Sequence, residues 1–535
     1  MLRAAFMALV AVACVATAQE AVVWVASPWQ HVLMSTPPGP AREVTLRAAR
    51  NEYEPFRVIV RSGERALRDV NLQASALSGP AGDIPADSIA LYREHYIDVF
   101  EPSPRSKAHP GWYPDPLIPF VDPQTGTDSS GSRYDAVPFD LMPDANQGVW
   151  GDIYVPGDAA PGRYTGKITV TCASGKLAEV PIALSVWDFA LPHSIAMQSC
   201  FGGLGGRLAK GLDMDAGSEE FRQVEDLCID EMLRHRCVPS SLGNIWPKWT
   251  PEGGLDDTET AERLRAMVED KHVNALRMPF SYRDDPAKCK AYLGALAEYL
   301  KGKGWLDLAY IYMRDEPNNK EQYETVRQQG ALIKAAHPGI GRMCTEQTIT
   351  SNPEWGDLYG AVDIWCPLWG LWDEKTALER QKLGERMWSY TALCQCAEQN
   401  PFWQIDFPPV SFRAPMWVSW HYDIEGFLYW SSIYWTVGHD VWTRPHFRDR
   451  YWGEGMLLYP GAPAGVRGVV TSIRLKLIRE AMEDFEYMTM AAARHGREKV
   501  DEVVDTLTRS FTDWERDPQA YVTARDALAA MIVGQ

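Results

Sequence analysis

Beyond its first eighteen residues the 535-residue chain has no run of the ~20 consecutive apolar residues that a membrane-spanning helix requires. It is also short of positive charge. Against 71 aspartates and glutamates stand 53 lysines and arginines, a net charge of −18, which disfavours nucleic acid and anionic membranes as partners and leaves neutral sugars as compatible ligands. Cysteine is sparse and scattered. Ten are present, and loss of Cys14 with an N-terminal leader would leave an odd number, so at least one is unpaired in any monomeric scheme and the spread is no disulfide framework. Cys394 and Cys396 lie too close together for a zinc ligand pair without a second pair and matching histidines. The eleven histidines form no His-Glu-x-x-His cluster. Nothing in the sequence calls for a metal or a cofactor. Tryptophan, by contrast, is abundant at 21 residues; pyranose rings stack on such faces, although most tryptophans serve as core.

The length allows two or more cores. Met1-Leu-Arg3, the apolar Ala4 to Val15 and the small-x-small site Ala16-Thr17-Ala18 read as a secretory signal over 1–18. The mature chain is therefore expected to be secreted or periplasmic. A lipoprotein anchor at Cys14 is disfavoured by Ala11. Over 19–192, short alternating runs separated by turns (43–48, 56–61, 149–155, 164–171, 180–186) predict an all-β sandwich. The stretch from Pro102 to Asp144, crowded with Pro, Gly, Ser and Asp, reads as a long excursion. Within it, Trp112-Tyr-Pro-Asp115-Pro is either a lid reaching the next domain or a plain surface loop.

After Leu191-Pro192 the rhythm becomes strand, helix, strand, helix. Strands are expected at 197–201, 237–240, 275–280, 308–315, 342–346, 362–367, 387–391 and 426–430, and helices most clearly at 219–235, 287–301 and 321–337. Eight such units over 193–470 predict a closed (β/α)8 TIM-like barrel. From 471 to 535 the chain reads as helical, with Ile473, Leu477, Met482, Phe485 and Met488 on a buried stripe packing on the barrel.

The most informative stretch is Tyr310-Ile-Tyr-Met-Arg-Asp315-Glu316-Pro317. An apolar strand ends in two adjacent carboxylates where barrel enzymes place catalytic groups. Pro317 keeps Glu316 out of the α region, so the following helix cannot begin early. Two neighbouring acids repel, and burial would keep one protonated while the other stays charged, the arrangement glycoside hydrolysis needs. The competing reading is a helix N-terminus decorated with acids, favoured by the macrodipole.

The chain resembles glycoside hydrolase family 123 and the related domain of unknown function 4091 group. The resemblance is carried by Asn51-Glu-Tyr-Glu-Pro-Phe56, Gly111-Trp-Tyr-Pro-Asp-Pro-Leu117, Pro161-Gly-Arg-Tyr-Thr-Gly166, Asp315-Glu-Pro317, Gly426-Phe-Leu-Tyr-Trp430 and Arg479-Glu-Ala-Met-Glu-Asp-Phe-Glu-Tyr487 in that order. It implies a β-sandwich followed by a catalytic barrel. It also implies exo-acting removal of a β-linked N-acetylgalactosamine in which the substrate's own acetamido group attacks the anomeric carbon, with the roles of the aspartate and glutamate falling on Asp315 and Glu316. The last motif departs from relatives that more often carry an aspartate and a glycine near its middle.

An ordinary retaining glycosidase needs a second carboxylate as nucleophile ~5 Å from the acid. The expected seventh strand, Met387-Trp-Ser-Tyr-Thr391, offers none before Glu398 in the loop beyond. That favours substrate assistance, with Glu346 and Glu425 as the fallback carboxylates. Tyr390 is a candidate donor to the acetamido oxygen, and Trp365, Trp369 and Trp430 are candidate walls for the sugar, each with a core role as the alternative. Arg314 should alternate away from Asp315 and brace the barrel. The expected function is thus an exported glycosidase acting on a glycan or glycoconjugate. The alternatives are a glycosidase of other specificity with its own nucleophile and a non-catalytic carbohydrate-binding surface protein, for which two repelling acids would have no use.

Overall fold

The computed structural model describes residues 20–534, apart from 124, 128, 130, 132, 282–284, 351, 394–398 and 436–437. The expected leader, Cys394, Cys396 and Glu398 lie outside the described residues. The seven described cysteines are all free thiols, six of them buried.

The alternating runs of the first third form strands and build two sheets. One sheet orders Val22–Ala26, Glu52–Arg61, Asn146–Val155, Ile89–Val99 and Gly111–Pro119, all antiparallel. The other runs Val44–Arg50, Gly175–Ala190, Gly162–Cys172, Leu67–Ala74 and Phe139–Leu141. Because side chains alternate, each strand sends every second residue inward. Val58 and Val60 of the first sheet share a buried core with Ile168, Val170 and Leu184 of the second. The 102–144 stretch is not a free excursion, since Gly111–Pro119 is an edge strand of the first sheet. Asp115 on it is buried and forms two hydrogen bonds with Arg474, of 2.8 and 2.9 Å. The Trp112–Tyr113 segment is therefore a strut between the β-rich part and the C-terminal helix rather than a lid.

The second part is a curled parallel sheet. Its order is Gln198–Phe201, Ile424–Tyr429, Arg386–Thr391, Ile364–Trp365, Gly341–Thr345, Ala309–Asp315 and Leu276–Arg277. The helices Glu219–Arg234, Pro286–Lys303 and Lys320–Ala336 sit where periodicity places them. The eight-stranded closed barrel is not what the described residues form. The expected 237–240 strand contributes only a parallel bridge, Phe201 to Pro239, with Phe201 N–H donating to Val238 O and Ser240 N–H to Phe201 O. Leu276–Arg277, at the other edge, is two residues long. Ser240 and Met278 donate to their own neighbours, Phe201 O and Tyr310 O, so Pro239 and Pro279, one residue away, would offer their N–H to the opposite side, and proline has none to offer toward the gap between the two edges. The sheet is thus a barrel open between these two edges among the described residues.

The C-terminal helix Ile473–His495 buries Ile473, Leu477, Met482 and Met488 as expected, with Phe485 partly covered. It also buries Arg474, Lys476, Arg479, Glu480, Glu483, Asp484 and Glu486, charges that the apolar stripe did not anticipate.

Candidate active site

The strand Ala309–Asp315 does not alternate to its end. Its pairing with Gly341–Thr345 shifts register between Tyr312 and Arg314, a bulge at Met313. One extra residue turns the following side chains by one position, a device common beside active sites. As a result Tyr312 and Asp315, three apart, face the same cavity, and the Tyr312 hydroxyl donates to Asp315 Oδ1 at 2.6 Å. Thr345, at the end of the neighbouring strand, donates to the same oxygen at 3.0 Å. No hydrogen bond to Asp315 Oδ2 is formed among the described residues. Arg314 is partly buried, and its Nε is a buried donor with no partner.

Glu316 has φ +39°, a left-handed backbone that a non-glycine residue adopts at a cost of about 1–3 kcal/mol. Its amide donates to Thr345 Oγ1 at 3.0 Å. Pro317 follows, and Asn319 caps the helix Lys320–Ala336 by accepting from the Gln322 amide. The chain is thus pinned on both sides of the glutamate, which points into the cavity and accepts a hydrogen bond at Oε1 from the Tyr390 hydroxyl. Burial, then the adjacent Glu316 carboxylate, holds the Tyr390 hydroxyl far above its ordinary range; burial, then Asp315, does the same to Tyr312. Both phenols are permanent donors. Each carboxylate has one oxygen clamped by hydroxyls and the other open to a ligand. Neither acid is buried, contrary to the expectation of an apolar setting.

The cavity has a volume of about 360 Å³ and lies at the carboxyl ends of the strands. Asp315 and Glu316 are the only carboxylates lining it among the described residues. A larger cleft of about 670 Å³ opens at the opposite, amino ends, around Gln198, Asn274, Arg386 and Glu425. Its charges are paired, Arg386 with Glu425 at 2.6 Å and Arg497 with Asp423 at 2.5 Å. It has no reacting pair of acids and lies at the end that parallel-strand enzymes do not use.

Of the expected wall residues, Trp430 lines the cavity. Its indole N–H donates to Glu454 Oε1 at 2.6 Å, and Gln404 Nε2 donates to Oε2 at 2.5 Å. Gly455, at φ +72°, permits this seat, because a Cβ there would stand 2.4 Å from the Trp430 ring. Burial pushes the Glu454 carboxyl up to about 7. Trp365 and Trp369 do not line the cavity. Trp365 is buried with its indole N–H on Glu385 at 2.6 Å, and Trp369 packs on Phe511 with its N–H on Phe511 O at 3.0 Å. Both are core. Glu346 is buried and accepts from Tyr323 on the outer helix at 3.0 Å, so it faces the helix layer. Glu425 stands at the start of its strand, at the wrong end for a nucleophile. Sequence reasoning missed Tyr312, Thr345 and Glu454. Only the bulge brings the first into place; Thr345 acts from the neighbouring strand and Glu454 from a turn distant in sequence.

Residues 246–491 match the family model described as glycoside hydrolase 123, catalytic domain. Among solved structures the chain is similar to a family 123 glycoside hydrolase from Clostridium perfringens studied for glycolipid glycan hydrolysis. The identity is 14%, 96% of this chain and 98% of that one are covered, and the TM-score is 0.68. A family 39 glycoside hydrolase from Bacteroides cellulosilyticus superposes more loosely, with 9% identity, 84% and 82% coverage and a TM-score of 0.33. A search of the curated proteins finds no match.

Proposed function

We propose, from the premise that the chain is a family 123-like glycoside hydrolase, that it releases a terminal β-linked N-acetylgalactosamine with retention, using the sugar's acetamido group as nucleophile. Glu316 is the general acid and then base, and Asp315 holds the acetamido N–H. The observation that carries this reading is the pairing of each acid with a phenol. Asp315 Oδ1 is fixed by Tyr312 and Thr345, which leaves Oδ2 to accept one N–H. Glu316 Oε1 is fixed by Tyr390, which leaves Oε2 for the glycosidic oxygen.

In the first step Glu316 gives its proton to the leaving oxygen as the acetamido carbonyl oxygen attacks the anomeric carbon. The leaving group departs as an alcohol, and a positively charged oxazolinium forms. Asp315 offsets that charge. In the second step Glu316 takes a proton from water, the water oxygen attacks the anomeric carbon, and the acetamido group is restored. The sugar itself supplies the desolvation that the open acids lack, since its ring displaces cavity water. Tyr390 bonds to Glu316 before substrate arrives, so its place on the acetamido oxygen would require it to exchange partners. Export of the enzyme, expected from residues 1–18, would place this chemistry outside the cytoplasm.

The test compares matched aryl glycosides. N-acetylgalactosaminides should turn over with retention and plain galactosides should be inert, and a thiazoline mimic of the bicyclic intermediate should bind far more tightly than the free sugar. Glu316→Gln should cost ~10²–10⁴-fold on a natural glycan and less on an aryl substrate with a good leaving group. A glycosyl-enzyme trapped with a 2-fluoro sugar would refute the substrate-assisted reading.

A further inference from the structure

The cavity is lined by three arginines as well as two acids: Arg207, Arg277 and Arg448. They come from three separate elements. Arg207 is on the short helix Gly206–Gly211, Arg277 ends the strand Leu276–Arg277, and Arg448 follows the strand His446–Phe447 with φ +50°. Each guanidinium lies over an aromatic ring, Arg207 over Tyr434 at 4.8 Å, Arg277 over Tyr312 at 4.9 Å and Arg448 over Phe447 at 5.1 Å. Stacking orders the guanidinium plane and leaves its N–H edge free. None of the three forms a salt bridge with a carboxylate among the described residues, and the two acids in the cavity are held by hydroxyls instead. In a chain of net charge −18, this is a local excess of positive charge around the cavity that holds the two acids. A neutral sugar would cover these cations without compensating them, which costs free energy. A planar fork of N–H donors matches a carboxylate or sulfate group bidentately.

We propose that the sugar bound in this cavity carries an anionic substituent, a carboxylate or a sulfate ester, read by Arg207, Arg277 and Arg448. The assignment rests on the cavity being the glycan site, and not on acetamido chemistry. It is tested by calorimetry of the full chain with three free monosaccharides: 2-acetamido-2-deoxygalactose, its O-sulfated form, and galacturonic acid. Free sugars bind without turnover, so the result does not depend on the mechanism. At least one anionic sugar should bind roughly tenfold or more tightly than the neutral one, as charge-assisted hydrogen bonds allow, and the advantage should shrink at high salt. Whichever anion wins identifies the source. The combined Arg207→Gln and Arg277→Gln change should abolish most of the advantage, with an unaltered melting temperature showing that these exposed residues do not hold the fold. Anionic sugars binding no better than the neutral one would overturn the proposal, as would an advantage that survives the double replacement. Tight galacturonate with weak binding of both acetamido sugars would instead refute the N-acetylgalactosamine reading and keep the arginine subsite.

Discussion

Asp315 and Glu316 could be found in the sequence because an apolar strand ending in two acids and a proline is a strong local signal. Their tyrosines could not. Alternation along a regular strand puts Tyr312 and Asp315 on opposite faces, and only the bulge at Met313 brings the phenol to Asp315 Oδ1. The acids are hydroxyl-clamped and open to solvent, not in the partly apolar setting expected of them. The clamp makes a kinetic prediction. In the proposed mechanism Asp315 offsets a charge that develops only at the transition state, so Asp315→Asn, which keeps the shape and loses the charge, should lower kcat by ~10²–10³-fold with a much smaller change in KM. Tyr312→Phe leaves Thr345 on the same oxygen and should cost only about tenfold in kcat, the worth of one hydrogen bond to a charged group. Steady-state kinetics on an aryl acetamido sugar checks both. An exposed aspartate with no catalytic part would leave kcat unchanged in the two variants.

At the scale of elements, most strands and helices followed hydrophobic period, and the expected strands at 237–240, 275–280 and 362–367 fell short, the first two at edges where Pro239 and Pro279 offer no N–H toward the gap. Tryptophan was legible as abundance and illegible as placement. Of three expected walls only Trp430 faces the cavity, and what aims it is a buried carboxylate on the distant 453–455 turn. Glu454 has an unusual consequence for pH. Its folded-state value of about 7 stands above the ordinary 4.5, so the folded protein holds a proton that the unfolded chain has released. That contribution to stability is full below pH ~4.5 and is lost as pH rises through about 7, a difference on the order of 3 kcal/mol at most. Gln404 Oε1, a buried acceptor without a partner, would meet the carboxyl proton if its amide turned over. Glu454→Gln mimics the protonated form at every pH. Its melting temperature relative to the unmodified protein should therefore climb between pH 5 and pH 8, read by thermal unfolding across that range. A flat difference would mean that Glu454 ionises normally in the fold.

Over the whole molecule, the β-rich part and the parallel sheet are joined by charge that composition alone does not locate. The helix Ile473–His495 was expected to pack through an apolar stripe, yet its polar face is buried as well, against the first sheet. Asp152 on that sheet accepts from Lys476 at 2.9 Å and from Arg479 at 2.8 and 2.7 Å, while Arg525 reaches Glu52, Glu54, Glu480 and Asp484. Periodicity weighs a charged residue as surface, so a helix whose charges are satisfied by another part of the chain reads as half-exposed until the partner is seen. Such pairs add little net stability when intact but are costly to break, because removing one member strands the other in a dry interior. Asp152→Ala should accordingly destabilise by about 3–5 kcal/mol in denaturant unfolding, although Asp152 lies outside the cavity that holds Asp315 and Glu316 and kcat of the folded fraction should not change. The two cations hold the Asp152 carboxyl well below the ordinary carboxylate range against the cost of burial. Its contribution is therefore present above the unfolded value near 3.8 and is lost as pH falls toward its lower folded value, so the penalty of the substitution should shrink in acid. A variant that loses less than 1 kcal/mol at neutral pH, or the same amount at every pH, would show that the junction is held by its apolar contacts and that these buried ions are passengers.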